Sequence, residues 1–240
     1  MSYSMSGETV AILAQTVSGF EQMQQDLHLT LQDQTLYVWC FDHDNTTHLQ
    51  ALLPLLGTPS GEDVCSTLYF SCETLQQSLQ SLQGRLQIQV AQDHWDLQDV
   101  RGHRVVWQTQ PCPVSRAFLG TLLFDSDCRL SVPTTDFLLY VQQLAVCEGP
   151  VEVSSPSPGN LRFCARGELV DIQIETSGTD PTKTLLASAV VGLKYIRAVL
   201  PSLVQAPTLD IYIRNQEAVI LQAVLPSHRL YLILKGQCSL

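Results

Sequence analysis

The pattern helix, strands, helix, strands occurs twice along the 240-residue chain. Apolar residues at helical spacing predict helices at Glu8–Phe20 and Glu73–Gln83 in the first half, and at Thr134–Val146 and Ser188–Leu200 in the second. The corresponding helices begin about 126 and about 115 residues apart, close to half the chain length. We therefore expect an internal duplication, which restricts the fold to two similar halves.

Strand-like segments lie between the helices, where β-branched and aromatic residues are frequent and apolar residues alternate with polar ones. In the first half the clearest segments are Leu27–Leu31, Leu36–Phe41 and Leu86–Val90. In the second half they are Val151–Ser154, Leu161–Ala165, Val170–Glu175, Thr208–Ile213, Ala218–Val224 and Arg229–Leu234. Each half thus combines two helices with several strands.

The segment between the halves, Gln108–Asp127, contains Pro111, Pro113 and Gly120 and two short apolar runs. We interpret it as an interdomain connector that lies on the surface and packs its apolar residues back onto the protein. The alternative is an ordinary long loop with one more short strand. The predicted organisation is a first domain at 1–107, a connector at 108–127 and a second domain at 128–240.

The charge of the chain is acidic and unevenly distributed. There are 13 Lys and Arg against 23 Asp and Glu, a formal net charge of −10. No Lys or Arg precedes Arg85, while residues 1–84 contain nine Asp and Glu. This half should repel a phosphate backbone, which excludes a surface that coats nucleic acid throughout.

The cellular environment is predicted from the N-terminus and the cysteines. Met1–Gly7 is polar and is followed by no apolar segment of a secretory signal. The eight cysteines occur singly, with no CxxC pair. We therefore expect an intracellular protein whose cysteines are reduced and mostly buried.

Three short segments of the second half, FCARGEL at Phe163–Leu169, LKYIR at Leu193–Arg197 and SHRLYL at Ser227–Leu232, carry a family resemblance. The first resembles FSASGEL of the proliferating cell nuclear antigen family of sliding DNA clamps, and the second resembles LRYL in that family's last channel helix. SHRLYL at Ser227–Leu232 resembles the closing GHLKYY strand. Their order and separations match the family, and Leu36–Asp42 is similar to its strand ending in QSMD.

The resemblance implies an α+β DNA-clamp fold with two similar domains, each with two helices packed on antiparallel sheets. Three subunits would form a ring, with helices around a central channel and sheets outside. The implied assembly is a homotrimer, with a hetero-oligomer as the alternative. Rings of this kind close head to tail, here by pairing of two exposed strand edges. The implied interface residues are Val105, Val106, Trp107, Val170, Ile172 and Ile174.

The function implied is a non-enzymatic clamp subunit that encircles duplex DNA and acts as a DNA polymerase processivity factor in replication or repair. The nucleus, or a host nucleus for a viral clamp, would be its location. It would also bind other clamp-binding proteins through a peptide groove beneath the connector. The matching groove positions are Phe41, Leu49, Leu119, Ala218, Leu232 and Leu234, which are alternatively core residues.

The predicted channel helices depart from the family because three of the four contain no Lys or Arg. The candidate DNA-contacting residues are Lys194, Arg197, Gln76, Gln80, Gln83 and Gln142. Gln can hydrogen-bond phosphates but releases no counterions, so DNA binding should be weak. Three explanations stay open: a subunit of a hetero-oligomeric, checkpoint-type clamp, a divergent clamp that holds DNA topologically, or a clamp-like interaction protein that does not grip DNA.

The enzyme alternative rests on Asp42-His43-Asp44 and His48, whose carboxylates and imidazoles suit a divalent cation. These residues lie in a predicted loop without fixed geometry, so an exposed polar loop is the favoured interpretation. Patterns for phosphate loops, zinc proteases, nucleophile elbows and dinucleotide binding are absent. We expect no enzymatic activity, no metal and no cofactor.

Overall fold

A computed structural model describes residues 2–21, 27–32, 34–41, 47–57, 66–91, 94–108, 126–184, 186–192, 196, 203, 205–226 and 228–236. The chain divides into two compact units. The first comprises Met1–His43, Leu49–Val114 and Pro226–Arg229, and the second Asp44–His48, Ser115–Leu225 and Leu230–Leu240. Within the described residues, no helix is long and apolar enough to cross a membrane.

The first half of the chain contributes nine strands and two helices among the described residues. In chain order they are β1 (Ser2–Met5), α1 (Gly7–Glu21), β2 (Leu27–Gln32), β3 (Thr35–Phe41), β4 (Thr47–Pro54), β5 (Leu56–Gly57), β6 (Ser66–Phe70), α2 (Cys72–Gln80), β7 (Leu86–Val90), β8 (His94–Asp99) and β9 (Arg104–Gln108). The strands pair in the orders β5-β1-β7-β8-β9 and β4-β3-β2-β6.

Both helices of the first unit begin at serine caps. The Ser6 hydroxyl oxygen accepts a hydrogen bond from the Thr9 N–H at 3.0 Å, and Ser71 does the same for Thr74 at 3.1 Å. These bonds satisfy N–H groups that have no partner inside the helix. The two helices pack against each other, and α1 buries Val10, Leu13, Val17 and Phe20.

The second half contributes nine further strands and one helix among the described residues. They are β10 (Cys128–Pro133), α3 (Thr134–Leu144), β11 (Val151–Ser155), β12 (Asn160–Arg166), β13 (Asp171–Ser177), β14 (Thr179–Thr184), β15 (Ala187–Val191), β16 (Thr208–Arg214), β17 (Ala218–Val224) and β18 (Arg229–Lys235). The strand orders are β14-β10-β16-β17-β18 and β13-β12-β11-β15.

The two sets of strands have the same topology. The order β5-β1-β7-β8-β9 corresponds strand for strand to β14-β10-β16-β17-β18, and β4-β3-β2-β6 corresponds to β13-β12-β11-β15. The strand pairs whose registers are resolved are antiparallel. The duplication that the helix spacing predicts is therefore present in the strand order.

Each unit has its own apolar core, built from alternate residues of the strands. In the first unit the inner side chains of β2 and β3 are fully buried, as are Leu49 and Leu53 of β4. In the second unit Leu161, Phe163 and Ala165 of β12 are buried, and the ring of Phe163 lies edge-on to Phe137 of α3 at 6.2 Å. Among the described cysteines, Cys40, Cys72, Cys128 and Cys147 are buried.

The predicted fourth helix, Ser188–Leu200, is wrong at its start. Residues Ala187–Val191 form β15, which pairs antiparallel with β11. Ala187, Ala189 and Val191 are buried while the residues between them are half-exposed, so the segment follows a strand period. A short run of Ala, Ser and Val suits either structure, and the neighbouring strand decides between them. Residues 193–195 and 197–200 lie outside the described residues.

Two other predicted helices end earlier than expected. The helix predicted at Glu73–Gln83 ends at Gln80, and the one predicted at Thr134–Val146 ends at Leu144. Gly84, in the turn before β7, has a left-handed backbone conformation with a φ of +72°. The predicted connector lies outside the described residues from 109 to 125, and the predicted domain limits remain a prediction.

Candidate functional site

Two strand edges form the candidate assembly site. β9 ends the order β5-β1-β7-β8-β9, and β13 ends the order β13-β12-β11-β15. Among the described strands, none pairs with the outer side of either, so each presents a row of backbone donors and acceptors. Exposed apolar side chains accompany both edges, since Val106 is 49% exposed and Val170, just before β13, is 44% exposed. Val105, Ile172 and Ile174 are half-buried.

Trp107 differs from the other predicted interface residues because its side chain is buried in its own unit. It is 4% exposed, and its ring lies edge-on to Phe70 at a centroid distance of 5.2 Å. Trp95 of the neighbouring strand is 6.4 Å away. Trp107 therefore anchors β9 to its own core, and its backbone is the part that a neighbouring strand can reach.

Charged side chains accompany both edges. On β9, Arg104 holds Asp96 with two hydrogen bonds from Nε, at 2.8 and 2.9 Å. These bonds, more than the charge of Arg104 itself, lower the pKa of Asp96. On β13, Asp171 and Glu175 are exposed, and Glu175 accepts a hydrogen bond from the side chain of Gln173 at 2.9 Å. Arg104 is thus paired with a carboxylate of its own unit.

The turn that leads into β9 is held by the buried carboxylate of Asp99. It accepts hydrogen bonds from the backbone N–H groups of Gln83, Arg101 and His103 at 2.8–3.1 Å, and its Oδ2 lies 2.9 Å from Nδ1 of His103. Burial raises the pKa of Asp99, but these hydrogen bonds outweigh it and bring the pKa to about 2. Asp99 thus ties the end of α2 to the start of the candidate edge.

The described helices present an acidic to neutral surface. α1, α2 and α3 contain no Lys or Arg, while they contain Glu8, Glu21, Glu73 and Asp136. Of the predicted DNA-contacting glutamines, Gln80, Gln83 and Gln142 are exposed and Gln76 is half-buried. Lys194 and Arg197 lie outside the described residues. The DNA contacts therefore stay a prediction.

The predicted peptide groove shows little open surface at the described positions. In the first unit Leu49 is fully buried and Phe41 is half-buried. In the second unit Ala218, Leu232 and Leu234 are at most 3% exposed. These four buried residues are core residues of their own units, and Leu119 lies outside the described residues. The groove remains a prediction that rests on the resemblance.

The metal alternative gains no support. Asp42, His43 and Asp44 lie outside the described residues, and His48 is buried on β4. Across the described ranges, no group of three or more His, Cys, Asp and Glu is arranged to hold a metal ion.

Comparison with solved structures decides the fold. The chain is similar to a structure of the PCNA2-PCNA3 complex from Sulfolobus tokodaii, with a TM-score of 0.73, 13% identity and 100% coverage of both chains. It is also similar to the proliferating cellular nuclear antigen of Entamoeba histolytica, with a TM-score of 0.71, 13% identity and 98% coverage of both.

The chain has the sliding-clamp fold. The predicted α+β class and the resemblance to clamps are confirmed at the level of fold. No protein-family model matches the chain, and no curated protein matches it in sequence.

A set of aromatic side chains on the clamp fold was missed by sequence reasoning. His28, Trp39, Phe41 and Tyr69 contact one another on the outer face of the β6-β2-β3 strands, the face away from the core. The available signal was the spacing of Tyr37, Trp39 and Phe41 at every second residue of one strand.

Proposed function

We propose that this protein is a subunit of a ring-shaped sliding clamp that encircles duplex DNA and serves DNA polymerase and other clamp-binding proteins. The observation that carries the proposal is the pair of strand edges, β9 and β13, in a chain with the sliding-clamp fold. A head-to-tail contact between two different edges gives a ring when the rotation between subunits closes. The proposed assembly is a homotrimer, located in the nucleus.

We propose that DNA is held topologically. The described helices carry no cationic side chain, so a channel lined by them would attract DNA weakly. It would also release few of the counterions that are condensed on the DNA. Gln80, Gln83 and Gln142 can still hydrogen-bond phosphates. Such a ring would slide freely and would leave DNA mainly at an open end.

The test uses linear duplex DNA with biotin at both ends. The ring threads onto free ends, streptavidin is then added to one of two parallel samples, and both are moved to high salt. Topological holding predicts that the protein stays on the capped DNA and leaves the uncapped DNA. Equal loss from both samples would contradict encirclement.

A second candidate is favoured by the acidic helices. A subunit of a hetero-oligomeric clamp, or a clamp-fold interaction protein that does not itself grip DNA, needs no basic helix surface. Polymerase stimulation by the purified protein alone separates the candidates, because the second candidate predicts none without a partner subunit. Loss of stimulation in a Lys194→Ala, Arg197→Ala variant that still assembles supports DNA contact, whereas no change would contradict DNA contact by these two side chains.

A further inference from the structure

β13 is held less firmly by the burial of its own side chains than β9, the other candidate edge. Exposed and half-buried residues alternate along Asp171–Ser177, and none of the seven is buried. β9 instead carries Trp107, which is 4% exposed. β13 pairs with β12 over its full length, but an edge strand that buries little apolar surface opens easily. Contacts from other elements therefore matter for how well β13 is ordered.

A tyrosine of α3 holds the far end of β13. The Tyr140 hydroxyl donates a hydrogen bond to the hydroxyl oxygen of Thr176 at 3.1 Å. The Tyr140 ring lies 5.9 Å from the ring of Phe163 on β12, and this ring contact restricts where the hydroxyl can point. α3 is itself anchored through its buried residues. The hydrogen bond therefore joins the edge strand to an element that is fixed in the core.

The start of β13 is held by a tight turn. The backbone N–H of Gly167 donates to the carbonyl oxygen of Val170 at 2.9 Å. The thiol of Cys147, which is buried, donates to the same oxygen at 3.4 Å. A Cβ at Gly167 would lie 3.0 Å from that oxygen, so the turn leaves little room for a side chain there. Both ends of β13 are thus tied to the rest of the second unit.

Pairing between subunits requires an ordered edge. It uses the backbone donors and acceptors on the open side of β13, which line up only while the strand stays extended. An edge that becomes ordered only during association loses conformational entropy at that step, which weakens binding. The complementary edge in a second copy of the chain is β9, where Val106 is 49% exposed. Tying β13 down beforehand therefore strengthens the contact.

We propose that Tyr140 is a positioning residue for subunit assembly. Through its hydrogen bond to Thr176 it keeps β13 extended and ready to pair with β9 of a second copy. The inference rests on the proposed function, since it takes a second copy as the occupant of this edge. It assigns a role in assembly to a side chain of α3, which lies on neither edge.

The first test compares two substitutions of Thr176 in the full-length protein. Thr176→Val removes the hydroxyl but keeps the β-branched shape that suits a strand, whereas Thr176→Ser keeps the hydroxyl. In light scattering over a concentration series, Thr176→Val should shift half-assembly to a protein concentration about fivefold higher, as expected for the loss of one hydrogen bond. Thr176→Ser should assemble as the wild type does. Tyr140→Phe should match Thr176→Val, and the double variant should add nothing, because each change removes the same bond.

Hydrogen exchange separates positioning from a general loss of stability. The measurement uses the monomer in which Val106→Lys blocks pairing at β9. With Thr176→Val added, backbone amides at the Glu175–Ser177 end of β13 should exchange about fivefold faster. Amides in β16 and β17 should keep their rates, and those at the start of β13, next to the turn at Gly167, should change less.

Three results would overturn the inference. If the wild type assembles and Thr176→Val assembles at the same concentration, the inference fails and the proposed function stands. Equal acceleration of exchange in β13, β16 and β17 would show that the Thr176 hydroxyl serves general stability instead. A wild type that stays monomeric at every concentration would contradict the proposed function, and the inference with it.

Discussion

Strands β3 and β12 occupy the same place in the two halves of the molecule but differ on one face only. Their inner residues are apolar in both, Leu36, Val38 and Cys40 in β3 and Leu161, Phe163 and Ala165 in β12, and all are buried. Their outer residues are aromatic in β3 and include two arginines in β12. The comparison teaches that the duplicated fold is encoded by the inner face, which leaves the outer face free to acquire binding functions.

The largest expected effect is a loss of stability when a buried residue on the inner face of β3 or of β12 is truncated. Leu36 and Leu161 are both 0% exposed, and each truncation leaves a cavity as well as losing apolar burial. Leu36→Ala and Leu161→Ala should each lower the free energy of unfolding by about 2–5 kcal/mol, measured by urea denaturation. A loss below about 1 kcal/mol in one of them would show that the two cores do not contribute alike.

The second prediction transfers the outer face of β12 to β3. The triple variant Tyr37→Arg, Trp39→Cys and Phe41→Arg should stay folded, because β12 carries these residues at the corresponding outer positions. Its unfolding free energy, measured by urea denaturation, should fall by less than that of Leu36→Ala, since the changed side chains are only half-buried. A stability loss as large as that of the core variant would break the comparison between inner and outer faces.

Sequence patterns predicted the inner face well because local periodicity records which side of a strand or helix is buried. β7 and β17 have the predicted limits. The segment at Ser188 was mispredicted because only its pairing with β11 makes it a strand.

The candidate site was harder to predict because it depends on distant pairing. The spacing of aromatic residues in β3 is visible in the sequence, but His28 and Tyr69 join them only through the registers of β2 with β3 and β6. The strands near Val106 and Val170 were expected at sheet edges and lie there. Trp107 points inward, where it packs against Phe70, which lies 37 residues away along the chain. No local sequence pattern indicates this contact.

The smallest expected effect is on the pH dependence of stability at two corresponding turns, the one before β9 and the one before β18. The pKa of Asp99 falls from 3.8 to about 2 on folding, so its stabilising contribution is complete above pH 3.8 and is lost as the pH falls towards 2. Burial lowers the pKa of His228 below 6.5 despite the opposing charge of Glu8. The stability that depends on neutral His228 is therefore lost at a higher pH than that of Asp99, as the pH falls below 6.5.

Thermal unfolding across pH checks both turns with one variant each. Asp99→Asn should reduce the pH dependence of Tm between about pH 4 and 2, part of which Asp96 also contributes, and His228→Gln should remove the decline that begins near pH 6.5. If His228→Gln keeps that decline, another group is responsible for it.

The central claim is that the edges β9 and β13 join subunits into a ring, and the molar mass in solution tests it most directly. Light scattering coupled to size exclusion, over a concentration series, should give three times 26.6 kDa for the wild type. Val106→Lys should give a monomer because a lysine at the edge blocks strand pairing, whereas Val100→Lys, at a 70% exposed position outside β9, should remain a trimer. A wild-type monomer at every concentration, or a Val106→Lys trimer, would contradict the account.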